Sequence, residues 1–367
     1  MIDNTALFHQ LLFRNEIAIV NASFLSSTPA SMPMDWEFDR AEGMLLGLAI
    51  GDALGYITEA HLPQSRFLRY GEIRDYLPNR FANNRTVGVC SDDSQMAFWT
   101  LENLITDDGL IPDHVAEEFT KHEIFGIGCT VWEFIQVYKD EGKHWTQAGQ
   151  PSAGNGAVMR IAPTLIPHLR MPSAALWADA GLAGTITHND PASNACCVAF
   201  INLLWECLRL KKIPEPIWWI DTFTSVASQL EGNTQYQSRC DGNTYQGPLW
   251  KFVDKEVRLA IAANKTSLQA CEEWHSGAYL LETMPCVLYI LACHGHDPEE
   301  AIIRAVNDTK DNDTVAAIVG AAVGALHGTA GLPTRWIKDL LGRTGSDDDG
   351  RIFELIGQAR QVFWVGG

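Results

Sequence analysis

From Asp35 onward the apolar positions recur with a helical period rather than an alternating one. Glu37 to Glu59 reads as one long helix. Ser94 to Ile105, His114 to His122, Cys129 to Tyr138, Ala174 to Ile186, Pro191 to Leu210, Ile217 to Leu230, Leu249 to Ala262, Gly277 to His294, Pro298 to Val306, Val315 to His327 and Thr334 to Leu341 read as helices after it. Convincing alternating strands are nearly absent, and no motif repeats at a fixed period. The pattern predicts an all-α fold with a single large multi-helix domain.

Two helices carry a further pattern. Gly43, Gly47, Gly51 and Gly55 recur every four residues and form one stripe, and Gly320, Gly324 and Gly328 form a second. Each glycine costs a helix about 1 kcal/mol relative to alanine. Several on one face make sense if another backbone lies against them, so these two helices are expected to cross closely. The first 35 residues stand apart. Thr5 to Leu25 mixes Leu7, Phe8, Leu11, Leu12, Ile17 and Val20 with polar positions, and Ser26 to Pro33 has linker composition. The expected division is an extension over 1–35 and a domain over 36–367. The arm's apolar residues need a cover, which its own domain, a sister subunit or another protein could supply.

Composition narrows the class. The 367 residues carry 27 Lys plus Arg against 45 Asp plus Glu, a formal charge of −18, with 46% apolar residues. Such a chain suits neither nucleic acid nor an anionic membrane surface. Its nine cysteines include no C-x-x-C pair, so neither a disulfide framework nor a zinc site is expected. Without a basic leader or an apolar run of about 18 residues, the reading is a soluble cytoplasmic protein.

Chemistry is concentrated in two acidic motifs of the same grammar. Ser91-Asp92-Asp93-Ser94 and Asp311-Asn312-Asp313-Thr314 each place two carboxylates and flanking hydroxyls directly before an apolar helix. One reading is helix capping. However, a cap needs one acceptor, and a second adjacent carboxylate adds repulsion unless a cation is present. Carboxylate and hydroxyl oxygens suit Mg²⁺, Mn²⁺ or Ca²⁺, and four carboxylates suit a pair of ions about 3.5–4 Å apart. The second motif is not an EF-hand, because Val315 and Ala316 stand where that loop needs an oxygen ligand and a glycine. Gly154-Asn155-Gly156 runs into a further segment and could present amides to an anion. His188 precedes a helix start, and Glu59 ends the glycine-striped helix; each has an ordinary structural reading beside a functional one.

Taken in order, Gly51-Asp52-Ala53-Leu54-Gly55, Glu59-Ala60-His61, Ser91-Asp92-Asp93-Ser94, Gly154-Asn155-Gly156 with Met159-Arg160, Thr187-His188 and Asp311-x-Asp313-Thr314 resemble the ADP-ribosylglycohydrolase family over about residues 36–345. The resemblance implies an all-α domain with a metal cleft and two divalent ions, Mg²⁺ or Mn²⁺. It implies hydrolysis of the bond between ADP-ribose and a modified protein side chain, arginine being the expected one. Ser91, Asp92, Asp93, Asp311, Asp313 and Thr314 match metal-binding positions. Glu59 matches an acidic position used in catalysis, and Asp93 is a second candidate to orient or deprotonate the attacking water. Gly154, Asn155, Gly156 and His188 match loops that hold the pyrophosphate and riboses. Two departures stand out: Thr309-Lys310 occupies the place of a usual Gly-Gly pair, and Gly126 stands where an Asp is common. The implied partner is an ADP-ribosylated protein. Some bacterial relatives are immunity proteins against ADP-ribosyltransferase toxins, and residues 1–35 could dock on such a toxin. The alternative is therefore a binding or inhibitor protein whose arm does the work.

Overall fold

The computed structural model describes residues 2–240 and 243–365. Its centre follows from the glycine stripes. Helix Asp39–Gly55 lies antiparallel along helix Asn312–His327, with Gly43 facing Gly324, Gly47 facing Gly320, Gly51 facing Ala316 and Gly55 facing Asn312 and Asp313. A Cβ on Gly47 would fall 2.7 Å from the Gly320 carbonyl carbon, and one on Gly324 would fall 2.5 Å from that of Gly43. Relaxed carbon contacts need about 3.5 Å, so the two backbones touch only because no side chain intervenes. Both helices are almost wholly buried. Their register sets the first turn of the Asn312 helix beside the last turn of the Asp39 helix, which brings the second acidic motif to Asp52 and Glu59.

Helices Asp92–Asp107, Ala175–Thr185, Pro191–Arg209, Pro216–Leu230, Leu249–Ala262, Leu280–His294 and Pro298–Asp308 pack around this pair. The all-α expectation holds. Among the described residues the strands are two short antiparallel hairpins, Pro78–Asn79 with Arg85–Thr86 and Tyr236–Gln237 with Gln246–Gly247. The helix predicted from Gly277 begins at Leu280 instead, because the residues before it run extended beside the glycine loop: Asn155 N donates to Ala278 O and Leu280 N to Ala153 O. Helix Pro191–Arg209 is long and apolar enough to cross a membrane, yet 83% of that stretch is buried inside the fold.

The arm lies on its own domain. Its helix Thr5–Phe13 buries Phe8, Leu11 and Leu12, and Ile17 and Leu25 are buried after it. The Phe8 ring fills the space a side chain on Gly181 would need. Asn4 Nδ2 donates to Leu110 O at 2.8 Å and to Asp179 Oδ1 at 2.7 Å. The linker-like stretch is pinned through its carbonyls: Trp177 Nε1 donates to Ser27 O and Trp205 Nε1 to Ala30 O. Of the covers the sequence left open, the domain itself supplies this one.

Candidate metal centre and active site

Neither acidic motif uses its N-cap residue as a cap. Ser91 and Asp311 precede their helices without a side-chain bond to a backbone amide of the first turn. Instead the carboxylates converge. Asp52, Asp93 and Asp313 bring ligand atoms within 4.8 Å of one another, and so do Glu59, Asp311 and Asp313; Asp313 belongs to both groups.

Asp52 is the clamp between the two parts. Its carboxylate accepts from Ser91 N at 3.0 Å, Ser91 Oγ at 2.7 Å and Ser94 N at 3.0 Å, and so ties the start of helix Asp92–Asp107 to the glycine pair. Its oxygens are thereby largely taken. Asp93 is fully buried: Oδ2 lies 3.1 Å from Ser91 Oγ, whose one hydrogen is directed mainly to Asp52, and accepts from Thr314 Oγ1 at 3.4 Å, while Oδ1 is buried with no hydrogen-bond partner. A lone buried carboxylate oxygen is costly unless a cation or a proton meets it. Burial, and then neighbouring acids, push the Asp92, Asp93 and Asp313 carboxyls well above the usual range, and burial raises Asp52 and Asp311 too. Five crowded acids with hard oxygen donors fit divalent cations such as Mg²⁺ or Mn²⁺, which would offset the repulsion.

Over this cluster opens a cleft of ≈ 630 Å³, within the usual range for small-molecule sites of about 300–1,000 Å³. Asp92, Asp311, Asp313 and Thr314 line its floor. Glu59 sits at the mouth in a turn set by Ala60, which adopts a left-handed backbone (φ 61°) and donates its N–H to Lys310 O at 3.1 Å. Burial, reinforced by Asp311 and Asp52, pushes the Glu59 carboxyl up to about 7, a range suited to proton transfer near neutrality. Ser91 and Asp93 lie behind the floor. Asp93, one of the two carboxylates expected to orient or deprotonate the water, is fully buried and is not among the residues that line the cleft. Gly126, also left-handed (φ 81°), packs beside Asp92 Oδ1.

The opposite wall is the predicted anion loop. Asn155 Nδ2 donates to Asp311 Oδ2 at 2.6 Å and to Thr283 Oγ1 at 3.0 Å, so the loop is bolted to the second acidic motif. Gly154 and Gly156 leave room for the His188 ring, since a Cβ on either would meet it at 3.2 Å and 2.9 Å. His188 Nδ1 lies 2.8 Å from Thr187 Oγ1, and Arg160 Nη2 donates to that same hydroxyl at 2.8 Å. Arginine cannot accept. The one hydroxyl hydrogen therefore goes to Nδ1, which leaves His188 as the Nε2–H tautomer facing the glycine loop. Burial, aided by Arg160, pulls its pKa down to about 3, so it is a neutral donor. Two residues escaped the sequence reading as functional: Asp52, quoted only within a motif, and Arg160, which sets the tautomer.

All eleven predicted site residues thus gather at one cleft, its floor or directly behind it. The profile of the ADP-ribosylglycohydrolase family matches residues 32–363. The chain is 26% identical to "ADP-ribosylarginine hydrolase Tri1" of Pseudomonas putida, covering 86% of this chain and 78% of that one. It is 26% identical to "ADP-ribosyl-[dinitrogen reductase] glycohydrolase" of Rhodospirillum rubrum, covering 82% and 90%, and 24% identical to human "ADP-ribosylhydrolase ARH3", covering 84% and 91%. A solved "ADP-ribosylglycohydrolase-related protein complex" superposes with a TM-score of 0.61 at 22% identity, over 89% of this chain and 97% of that one. With the family's profile running through both acidic motifs, the glycine pair and the cleft wall, this chain belongs to the ADP-ribosylglycohydrolase family and is a glycohydrolase.

Proposed function

We propose that the protein removes ADP-ribose from arginine side chains of modified proteins in a reaction that depends on two divalent cations, Mg²⁺ or Mn²⁺. The observation that carries this is the buried carboxylate cluster, with its unpartnered Asp93 oxygen, at the floor of a cleft walled by the anion loop. Asp92, Asp93, Asp311, Asp313 and Thr314 would hold the cations, and Ser91 and Asp52 would hold Asp92 and Asp93 in place. Bound there, the cations would supply positive charge at the ribose hydroxyls and lower the pKa of a nearby water.

The chain's own residues do the rest. The Gly154–Gly156 loop and the His188 Nε2–H receive the pyrophosphate. Glu59, at the mouth and poised near neutrality, accepts the proton of the water that attacks the anomeric carbon. The bond to the side-chain nitrogen breaks through an oxocarbenium-like state, as in other glycoside hydrolysis, and the proton lost by water ends on the departing guanidine. The named activity of the Pseudomonas putida relative supports arginine as the modified residue. An inhibitor role through residues 1–35 is less favoured, because Phe8, Leu11, Leu12, Ile17 and Leu25 of the arm are buried on this chain's own domain, which leaves Phe13, Val20 and Met34 as its exposed large apolar residues. Asp92→Ala with Asp93→Ala should abolish ADP-ribose release and weaken Mg²⁺ binding; full activity in that double variant would refute the metal-centre reading.

A further inference from the structure

Helix Pro63–Tyr70, which begins four residues after Glu59, is built inside out. It turns a charge inward. Arg66 is fully buried and donates to Thr309 O at 2.7 Å, His61 O at 2.9 Å, Thr58 Oγ1 at 3.0 Å and Thr58 O at 3.2 Å. That guanidinium joins the Glu59 turn to the approach of the second acidic motif, so the helix is fixed rigidly beside the cleft mouth. Its large apolar residues face outward: Phe67 is 63% exposed, Leu68 81%, and Leu62 just before the helix 60%. An amphipathic surface helix normally does the reverse, and contiguous exposed apolar residues on a monomer mark an interaction site.

A second segment meets the same turn from the other direction. Phe81, 42% exposed, stacks on Tyr56, the residue that opens the turn leading to Glu59, with ring centroids 6.3 Å apart. The charge here is also reversed relative to the chain. Ala60 to Gly71 contains no acid, in a protein of net charge −18. Arg74, Arg304, Arg335, Arg343 and Arg351 are all ion-paired. Arg69 and Arg80 have no carboxylate partner among the described residues and lie instead over the rings of Tyr70 and Phe81, at 5.1 Å and 4.7 Å.

We propose that this face beside the mouth, carrying Leu62, Phe67, Leu68, Arg69, Arg80 and Phe81, docks an acidic segment with apolar side chains on the ADP-ribosylated protein. The inference rests on the hydrolase reading. The modified side chain must emerge at the mouth, so the protein that bears it must lie on the surface beside it. An acidic partner is favoured because the uncommitted arginines are complementary to it, whereas most of this chain's surface would repel it.

The test uses three substrates and the full-length protein loaded with Mg²⁺. One is ADP-ribosylarginine itself. The other two are peptides of equal length bearing one ADP-ribosylated arginine, flanked by Glu and Leu in one and by Lys and Leu in the other. At low salt, kcat/KM should favour the acidic peptide about tenfold, and the preference should shrink as salt rises. Arg69→Glu with Arg80→Glu should abolish or invert that preference. Phe67→Ser with Leu68→Ser should lower kcat/KM on both peptides. All variants should retain wild-type turnover of ADP-ribosylarginine. Equal use of the two peptides by the wild-type protein, or variants that lose the small substrate as fully as the peptides, would overturn the docking proposal alone. No release from any substrate would overturn the hydrolase reading and the docking proposal with it.

Discussion

Alanine at Gly47 sets two effects of opposite sign against each other. Helix propensity favours the substitution by about 1 kcal/mol. Packing opposes it, because the new Cβ would lie 2.7 Å from the Gly320 carbonyl carbon and closer still to its oxygen. Those atoms belong to backbone and cannot rotate aside, so the two helices must separate along a contact four glycines long. Overpacking of a buried contact costs about 1–3 kcal/mol when side chains can adjust, and occasionally more; a backbone contact belongs at the upper end. The net expectation is a loss of about 2 kcal/mol. With an unfolding entropy of about 2.1 cal/mol/K per residue, that lowers the melting temperature of this 367-residue chain by roughly 2–3 °C. Gly55→Ala should act differently, since its Cβ would strike Asn312 and Asp313 at the start of the acidic motif. It should weaken Mg²⁺ binding out of proportion to its effect on stability. Thermal unfolding with and without Mg²⁺ reads both. A Gly47→Ala variant as stable as wild type, or stabilised by the propensity term, would refute the close-contact argument.

The acidic cluster makes stability depend on pH and metal together. Its carboxyls are raised in the folded state, Glu59 to about 7, above unfolded values near 4. The folded form therefore prefers them protonated, and in EDTA the cluster should destabilise the protein increasingly as pH rises from about 4 through 7. Mg²⁺ or Mn²⁺ should restore stability by an amount that grows with pH, read as a melting-temperature shift; a shift that shrinks as pH rises would contradict this. Thr187→Val removes the hydroxyl between Arg160 and His188, releasing the tautomer. It should raise KM for the ADP-ribosyl substrate several-fold with kcat nearly unchanged, the effect of losing about one net hydrogen bond. Deletion of residues 1–35 should lower the melting temperature sharply, because it uncovers Gly181 and removes the acceptors of Trp177 and Trp205; a fully stable truncated protein would show the arm to be an appendage.

Much of this arrangement was legible in the sequence for definite reasons. Glycines every four residues violate helix propensity, so they announced a backbone contact, and that contact fixes where Asp311–Thr314 lands. Doubled carboxylates at two helix starts exceeded what capping requires. Other features depended on partners far along the chain. Asp52 reads as one polar residue in an apolar helix, and its role appears only when Ser91 and Ser94 arrive at its oxygens. Helix Pro63–Tyr70 escaped the periodicity because its buried anchor is Arg66 rather than an apolar residue. Helix Ser267–Glu273 carries a complete capping box from Thr266 and Gln269, a signal contained in four consecutive residues. The Ser/Pro stretch after the arm has linker composition, yet indole N–H groups from distant helices hold its carbonyls.

The central claim is that buried carboxylates hold cations that make this cleft an ADP-ribosyl-arginine hydrolase. Its most direct test is release of free ADP-ribose from an arginine-ADP-ribosylated protein by the wild-type enzyme, measured in Mg²⁺, in Mn²⁺ and in EDTA. Release should occur with either metal, stop in EDTA and return when metal is added back. Undiminished release in EDTA, or none with either metal present, would contradict the account.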